Sequence, residues 1–333
     1  MSVRYESEIP DLQSVYLRDS EPGTICKWQG NKALKLNGQG PGLLIIPDLR
    51  LSQGTIEVEV GAEGAAYAGL AFHIQDTLNY ELAYIQPHTS GLWDALQYEP
   101  VMHGSNTWQL YYGQQYQQAV ETPPNVWHHL RIEFTQTSAL IKVNGNPALF
   151  VPQLACDHQT GLLGLWTYLP AYFRNLRITD DKPGVITSSG MVDSHPSGMM
   201  TEWFMDDYGL VRTENNGILN LNRYISVPQN EIRLTREFEL LEDDNINFEF
   251  GFSDHLRLQL DDIEIYSGEH LFHTGLVWEN RGYVSLNQQV QLKLTKGIHR
   301  ITAVLEAKEY FGIGLMMKIS AENYRLSDPA LYS

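Results

Sequence analysis

Positive charge is scarce in this sequence. Lys and Arg number 23 against 40 Asp and Glu, a formal net charge of −17 over 333 residues. Such a surface repels phosphate backbones and anionic membranes, so neither nucleic acid nor a membrane is an expected partner. Cysteine is almost absent: Cys26 and Cys156 are the only two. That is too few for a disulfide framework and points to a reducing compartment. No apolar run approaches the ~20 residues of a membrane-spanning helix. The opening MSVRYESEIPDLQ has no basic stretch followed by an apolar one, so it does not read as a signal peptide. A cytoplasmic protein is the default expectation, although a secreted protein from which a leader had been removed would read the same. Helical periodicity is missing too, since no segment sustains a 3.6-residue period over three turns.

What the sequence has instead is short alternation. GTIEVEV (54–60), AGLAFHI (68–74), YELAYIQ (80–86), HHLRIEF (128–134) and ALIKVNG (139–145) switch face every residue and end in Gly, Pro, Asn or Asp. VNGNP at 143–147 centres on Asn-Gly, a strong hairpin signal. The alternation fails in DDKPGVITSSGMVDSHPSGMM (180–200) and then resumes in INFEFGF (246–252), HLRLQLDDIEIYSG (255–268), QVQLKLTKG (289–297), HRITAVLEA (299–307) and IGLMMKIS (313–320). LQLDDIEIY reads as two strands about a tight Asp261-Asp262 turn. The expected fold is all-β, with two β-sandwich domains over 1–180 and 201–333 and a linker at 181–200.

The first half resembles the concanavalin A-like lectin/glucanase superfamily in its laminin-G-like branch. The resemblance rests on GTIEVEV, GLAFHIQDTLNYELAYIQPH, WHHLRIEF with ALIKVNGNPAL, and GLLGLW with AYFRNLRI, in that order. LRLQLDDIEIYSG and QVQLKLTKGIHRITAVLEAKEYFGIGLMMKI resemble the jelly-roll modules appended to carbohydrate-active proteins. The resemblance implies a ligand on the concave sheet of the first domain. It also implies that Ca²⁺ is a possible cofactor, held by a loop aspartate such as Asp76 or Asp94.

Strand parity locates that face. Placing Phe72, Ile74, Ala83, Ile85, Leu96, Tyr98, Trp108 and Leu110 toward the core leaves His73, Gln75, Tyr84, Gln86, His88, Gln97, Gln109 and Tyr111 on the other side. Trp93, Asp94 and His103 fall in loops that would overhang it. Rings beside amides suit a carbohydrate or another neutral, oxygen-rich small molecule; an antiparallel sheet facing water is polar on one side in any case. Trp127 and Trp166 read as core or rim packing.

Enzymatic readings are narrower. His88, Asp94 and His103 would supply acid–base chemistry if they converge. Glu57 and Glu59 share a strand face, but Gly61 stands where a third carboxylate would follow, and an exposed edge strand is the expected account of the pair. No Gly-x-Ser-x-Gly elbow occurs. His128 and His129 point oppositely on a strand, as do His270 and His273, so no metal ligand set is expected from them. The leading expectation is recognition of a glycan or similar ligand. The alternatives are an enzyme using the same cleft and a structural or assembly protein whose oligomeric state the sequence leaves open.

Overall fold

The computed structural model describes residues 2–10, 16–18, 23–38, 40–184, 197–226 and 229–327. Among these the protein is all-β; the only helical elements are single 3₁₀ turns at Pro87–Thr89, Leu221–Arg223 and Trp278–Arg281. The chain forms two compact units. The first comprises Met1–Val101 and Tyr111–Ser189, the second Met102–Leu110 and Gly190–Ser333. Nine residues inside the first sequence half thus group with the second unit. Most of the 181–200 stretch, residues 185–196, lies outside the described residues.

The first unit begins with β1 (Val3–Ser7), β2 (Tyr16–Arg18), β3 (Thr24–Trp28), β4 (Asn31–Leu36) and β5 (Gly42–Leu51). There follow β6 (Gly54–Gly61), β7 (Tyr67–Asp76), β8 (Asn79–Ile85) and β9 (Leu96–Met102). After the two-residue β10 (Ser105–Asn106), which groups with the second unit, come β11 (Gln117–Gln118), β12 (His128–Phe134), β13 (Ala139–Val143), β14 (Asn146–Val151), β15 (Gly161–Tyr168) and β16 (Ala171–Thr179). One sheet runs β14-β13-β12-β6-β16-β4-β3, with β1 also pairing β16; the other runs β9-β8-β7-β15-β5-β2, with β11 beside β9. Asn144 and Gly145, at φ 51° and 81°, form the two-residue turn between β13 and β14. Both positions need a left-handed backbone, which Asn and Gly accept at least cost.

Between the two sheets lies one core that includes Leu34, Ile56, Val58, Leu70, Phe72, Ile85, Tyr98, Ile132, Phe134, Leu165 and Phe173. Each such side chain contributes about 1.5–3 kcal/mol on burial. Along β12 burial alternates strictly, with His128, Leu130, Ile132 and Phe134 inside. In contrast, every residue of β9 and all but the first of β8 are buried, so these two strands are covered on both faces. That is the burial pattern of a strand sandwiched between two layers rather than facing water on one side.

The second unit contains β17 (Glu202–Met205), β18 (Gly209–Arg212), β19 (Leu219–Asn220), β20 (Gln229–Leu240), β21 (Asp244–Phe252) and β22 (Asp254–Leu260). It ends with β23 (Ile263–His270), β24 (Gln288–Leu294), β25 (Gly297–Ala307), β26 (Gly314–Ser320) and β27 (Tyr324–Leu326). Its sheets are β18-β17-β20-β25-β22-β23, with β27 on β20, and β19-β26-β21-β24. They enclose a separate core around Trp203, Leu234, Phe238, Phe248, Phe250, Leu258, Leu305 and Met317. Asp261 and Asp262, at φ 49° and 66°, form the expected β22–β23 turn. The Asp261 carboxylate holds it there, accepting from the Arg300 N–H at 2.9 Å and lying 2.7 Å from His299 Nδ1.

Candidate ligand-binding site

The outer face of the second sheet in the first unit is built from one row of residues across six strands. Leu43, Trp166, Gly69, Tyr84, Gln97 and Gln117 are successive register partners on β5, β15, β7, β8, β9 and β11. Gly69 is the gap in that row. A Cβ there would sit 2.0 Å from the Ala83 carbonyl oxygen and 2.5 Å from Tyr84 Cα. Without one, the Tyr84 and Trp166 rings meet across β7 at 5.2 Å between centroids, tilted by 34°.

Around this pair other rings gather. Tyr67 lies edge-on to Tyr84 at 6.0 Å, to His88 at 5.0 Å and to Tyr168 at 5.8 Å. Tyr168 is 39% exposed, while Trp166 is 2% exposed and its indole N–H has no acceptor among the described residues. The five residues Tyr67, Tyr84, His88, Trp166 and Tyr168 therefore make an aromatic patch with one solvent-facing side. Its inner end grades into the apolar cluster of Leu43, Ile45, Ala71, Ile74, Tyr80 and Leu82.

The residues expected on a shared open face divide in the structure. Tyr84 and Gln97 do stand on one face as cross-strand neighbours. His88, in the 3₁₀ turn after β8, joins them through Tyr67. The Gln97 amide, however, is engaged inside the protein. Its nitrogen donates to the carbonyls of Tyr98 and Tyr111, both at 2.7 Å, and its oxygen accepts from Gln117 Nε2 at 2.8 Å. Gln97 thus ties the loop leading to β11 onto the sheet. Gln86 is likewise buried and donates to the Asp94 carbonyl at 2.6 Å, bracing the loop that holds Trp93 and Asp94.

His73 does not share the face. Its backbone is left-handed, φ 47°, and the β7–β8 register shifts between Phe72 and Asp76. This bulge breaks the parity: Phe72 points into the inter-sheet core, whereas Ile74 belongs to the outer cluster. The expectation that the two point the same way is therefore corrected. The His73 ring is fully buried, edge-on to Phe134 at 5.3 Å, with the Ser52 backbone as its polar neighbour. Burial lowers its pKa to about 4. Gln75, beyond the bulge, donates to the carbonyls of Thr160 and His73 at 2.5 and 3.0 Å.

The segment around Trp108–Tyr111 is not a strand. It forms turns, with Leu110 N–H donating to the Thr107 carbonyl and Gln109 N–H to the Phe311 carbonyl. Strand parity therefore assigns nothing to Gln109 and Tyr111. Gln109 belongs to the second unit and donates to the Arg281 carbonyl at 3.1 Å. His103 lies there too, with Nδ1 2.7 Å from the Asn222 carbonyl. Tyr111 is buried in the first unit, edge-on to Tyr116 at 5.2 Å. His88, Asp94 and His103 are accordingly not assembled into an acid–base set within either unit.

The other sheet of this unit presents charge. Strand β6 lies between β12 and β16, so Glu57 and Glu59 stand on a central strand and not at the edge expected from sequence. Glu57 is held by Arg131 at 2.8 Å and by His129 and Arg177 at 3.3 Å each. Glu59 is held by Arg174 and Asn175. The His129 hydrogen bond, together with Arg131, outweighs burial and lowers the Glu57 pKa to about 2. These carboxylates line a depression of about 360 Å³ with Glu6, Ser7, Glu8, His129, Asn175 and Arg177. A glycosidase acid must hold a proton near its working pH, and Glu57 does not.

Asp76, one of the loop aspartates named for Ca²⁺, is engaged within its own turn. The Asp76 carboxylate accepts from the Leu78 N–H at 2.7 Å and the Asn79 side-chain amide at 3.0 Å, which closes the β7–β8 turn. Among the described residues no group of three or more His, Cys, Asp or Glu side chains converges as metal ligands do.

Tyr67 and Tyr168 were not among the residues singled out from sequence, and Trp166 was read there as core or rim packing, which agrees with its 2% exposure. The signal for two of them was present: in GLLGLWTY the core positions Leu163 and Leu165 put Trp166 and Tyr168 on the opposite face by parity.

No protein-family model matches the chain, and no curated protein matches it. Among solved structures it is similar to the carbohydrate-binding module CBM66 from Bacillus subtilis, at 17% identity over 46% of this chain and 89% of that one, with a TM-score of 0.36. It is also similar to a protein with a galectin-like fold from Bacillus subtilis, at 9% identity over 54% and 96%, TM-score 0.41. A third is domain 4 of AbnA, a GH43 extracellular arabinanase from Geobacillus stearothermophilus, in complex with arabinotriose, at 15% identity over 49% and 81%, TM-score 0.35.

Proposed function

We propose that the protein binds a neutral, hydroxyl-rich ligand, a short glycan, at the aromatic patch of Tyr67, Tyr84, His88, Trp166 and Tyr168. The observation that carries this reading is the ring cluster on one sheet face, in which Tyr67 lies edge-on to Tyr84, His88 and Tyr168 and Tyr168 reaches solvent. Tyrosine rings stack on the apolar C–H faces of a sugar while their hydroxyls reach its oxygens. The named residues of the row and patch include no Lys or Arg, which suits a neutral ligand better than an anion. On this reading the first unit is a concanavalin-like, laminin-G-like sandwich in which β15 and the start of β7, rather than the Gln97 region, present the ligand-contacting side chains.

A glycan array followed by calorimetry tests the proposal, with Tyr168→Ala as the informative variant because this side chain reaches solvent and its loss leaves the core intact. Binding of a neutral glycan that weakens about tenfold or more in Tyr168→Ala supports it. Binding unchanged by Tyr168→Ala, or no binding to any neutral glycan, refutes it.

A further inference from the structure

Twelve non-glycine residues have a positive φ among the described residues. Eleven of them are Asn, Asp, His or Gln, polar side chains that can bond to nearby backbone in the left-handed region. The twelfth is Leu169, at φ 70°. Its side chain offers no such bond, and the following Pro170 favours extended backbone at the residue before it. A bulky residue in this conformation is strained and stays there only because its surroundings hold it.

Two features of the first unit impose it. Strand β15 belongs to one sheet and β16 to the other, so the chain crosses between sheets through Leu169 and Pro170 alone. The second feature is Thr167, which is fully buried. It alternates with the core residues Leu163 and Leu165 and pairs with Ala68 of the same core. A valine of the same shape would fill that position. The threonine adds a hydroxyl that donates to the Leu169 carbonyl at 2.7 Å and lies 3.2 Å from the Tyr67 carbonyl. One hydroxyl thus ties the corner to the backbone of β7. The loop between β4 and β5 backs it, since a Cβ on Gly38 would lie 3.4 Å from Thr167 Cγ2 and 3.3 Å from the Leu169 nitrogen. Between these anchors stands Tyr168, the register partner of Tyr67, with the two rings edge-on at 5.8 Å.

We propose that Thr167 and the left-handed corner at Leu169 are positioning residues for the ligand, which fix the Tyr168 ring against Tyr67 before a glycan arrives. The role rests on the glycan reading of the aromatic patch. Tyr168 is the most exposed ring of that patch, at 39%, and it stands at the last position of its strand. A ring there would otherwise be ordered only on binding, at the expense of affinity; one already placed avoids that loss. Neither Thr167 nor Leu169 needs to touch the ligand. The buried hydroxyl and the strained corner act through Tyr168, which explains a threonine at a core position where valine would pack as well.

The test compares Thr167→Val, which keeps the shape and removes the hydroxyl, with Thr167→Ser, which keeps the hydroxyl. In the free full chain, nuclear Overhauser effects between the Tyr67 and Tyr168 rings should weaken in Thr167→Val and return in Thr167→Ser. Calorimetric binding of linear arabinose, xylose or glucose oligosaccharides, well below the melting temperature, should weaken about three- to tenfold in Thr167→Val and recover in Thr167→Ser. In a Tyr168→Ala background, Thr167→Val should leave the dissociation constant unchanged, because the hydroxyl acts through that ring; a merely structural role would weaken binding in both backgrounds alike. Ring contacts or affinity that persist in Thr167→Val overturn the positioning role, as does an additive effect in the double variant, and each leaves the glycan reading standing. Binding indifferent to Tyr168→Ala, or no binding of these sugars, overturns the glycan reading and the positioning role together.

Discussion

Replacing Glu57 with Gln removes the carboxylate on which Arg131, Arg177 and His129 converge. Its pKa falls from an ordinary 4.5 to about 2, chiefly through the His129 hydrogen bond and Arg131. At about 1.4 kcal/mol per pH unit, that difference corresponds to roughly 3 kcal/mol of stability tied to the ionised form. The Glu57 side chain is only 12% exposed, but Arg131 and His129 are 26% and 39% exposed. Solvent screening of these partners reduces the expected contribution to about 2 kcal/mol. The folded-state pKa is depressed, so the contribution is fully present above pH 4.5 and is lost as pH falls through about 2. Urea unfolding at a series of pH values is the assay. Glu57→Gln should cost about 2 kcal/mol at pH 7 and lose less stability than wild type between pH 4.5 and 2, by about the same amount. A variant as stable as wild type at pH 7, or one with the same acid slope, would refute the assignment of this cluster as a structural ion-pair network.

Three further perturbations follow from the same geometry. His73, with its pKa lowered to about 4 by burial, takes up a proton in the unfolded chain first; it therefore destabilises the fold as pH drops from 6.5 to 4. His73→Phe should flatten that part of the stability–pH curve measured by urea unfolding. Gly69→Ala should cost about 3 kcal/mol, since the new methyl meets backbone on β8 and the sheet must open; thermal melting and near-ultraviolet dichroism of the Tyr84–Trp166 pair would register it. Gln97→Leu removes the hydrogen bonds that Gln97 makes with the Tyr98 and Tyr111 carbonyls and with the Gln117 amide. It should cost roughly 2–4 kcal/mol, with hydrogen exchange rising first in residues 111–118.

Where hydrophobic alternation was regular, the fold was legible in the sequence. Residues 54–60, 128–134 and 139–143 form strands, and both two-residue turns fall where Asn-Gly and Asp-Asp place them. Parity carried Tyr84 and Gln97 to one face because β8 and β9 are regular. It failed at His73 because one left-handed residue in β7 reverses every assignment beyond it, and a bulge leaves no mark in alternation. It failed at Gln109 because WQLYY alternates like a strand while its backbone groups bond to the Thr107 and Phe311 carbonyls. Glutamines that resembled ligand contacts are structural fasteners, a difference set by which carbonyl lies within 3 Å and not by residue type. Glu57 read as an edge residue because composition does not reveal which strands come to flank β6.

The central claim is that a neutral glycan occupies the patch around Trp166. It is tested most directly by following the indole N–H resonances of the seven tryptophans during titration with linear neutral oligosaccharides of arabinose, xylose and glucose, the Trp166 signal being assigned with Trp166→Phe. Saturable movement of the Trp166 resonance, as a sugar settles on the rings packed around it, and loss of that response in Tyr168→Ala are the expected results. A Trp166 signal that stays still while other indoles shift, or a spectrum unchanged by every sugar, would contradict the account.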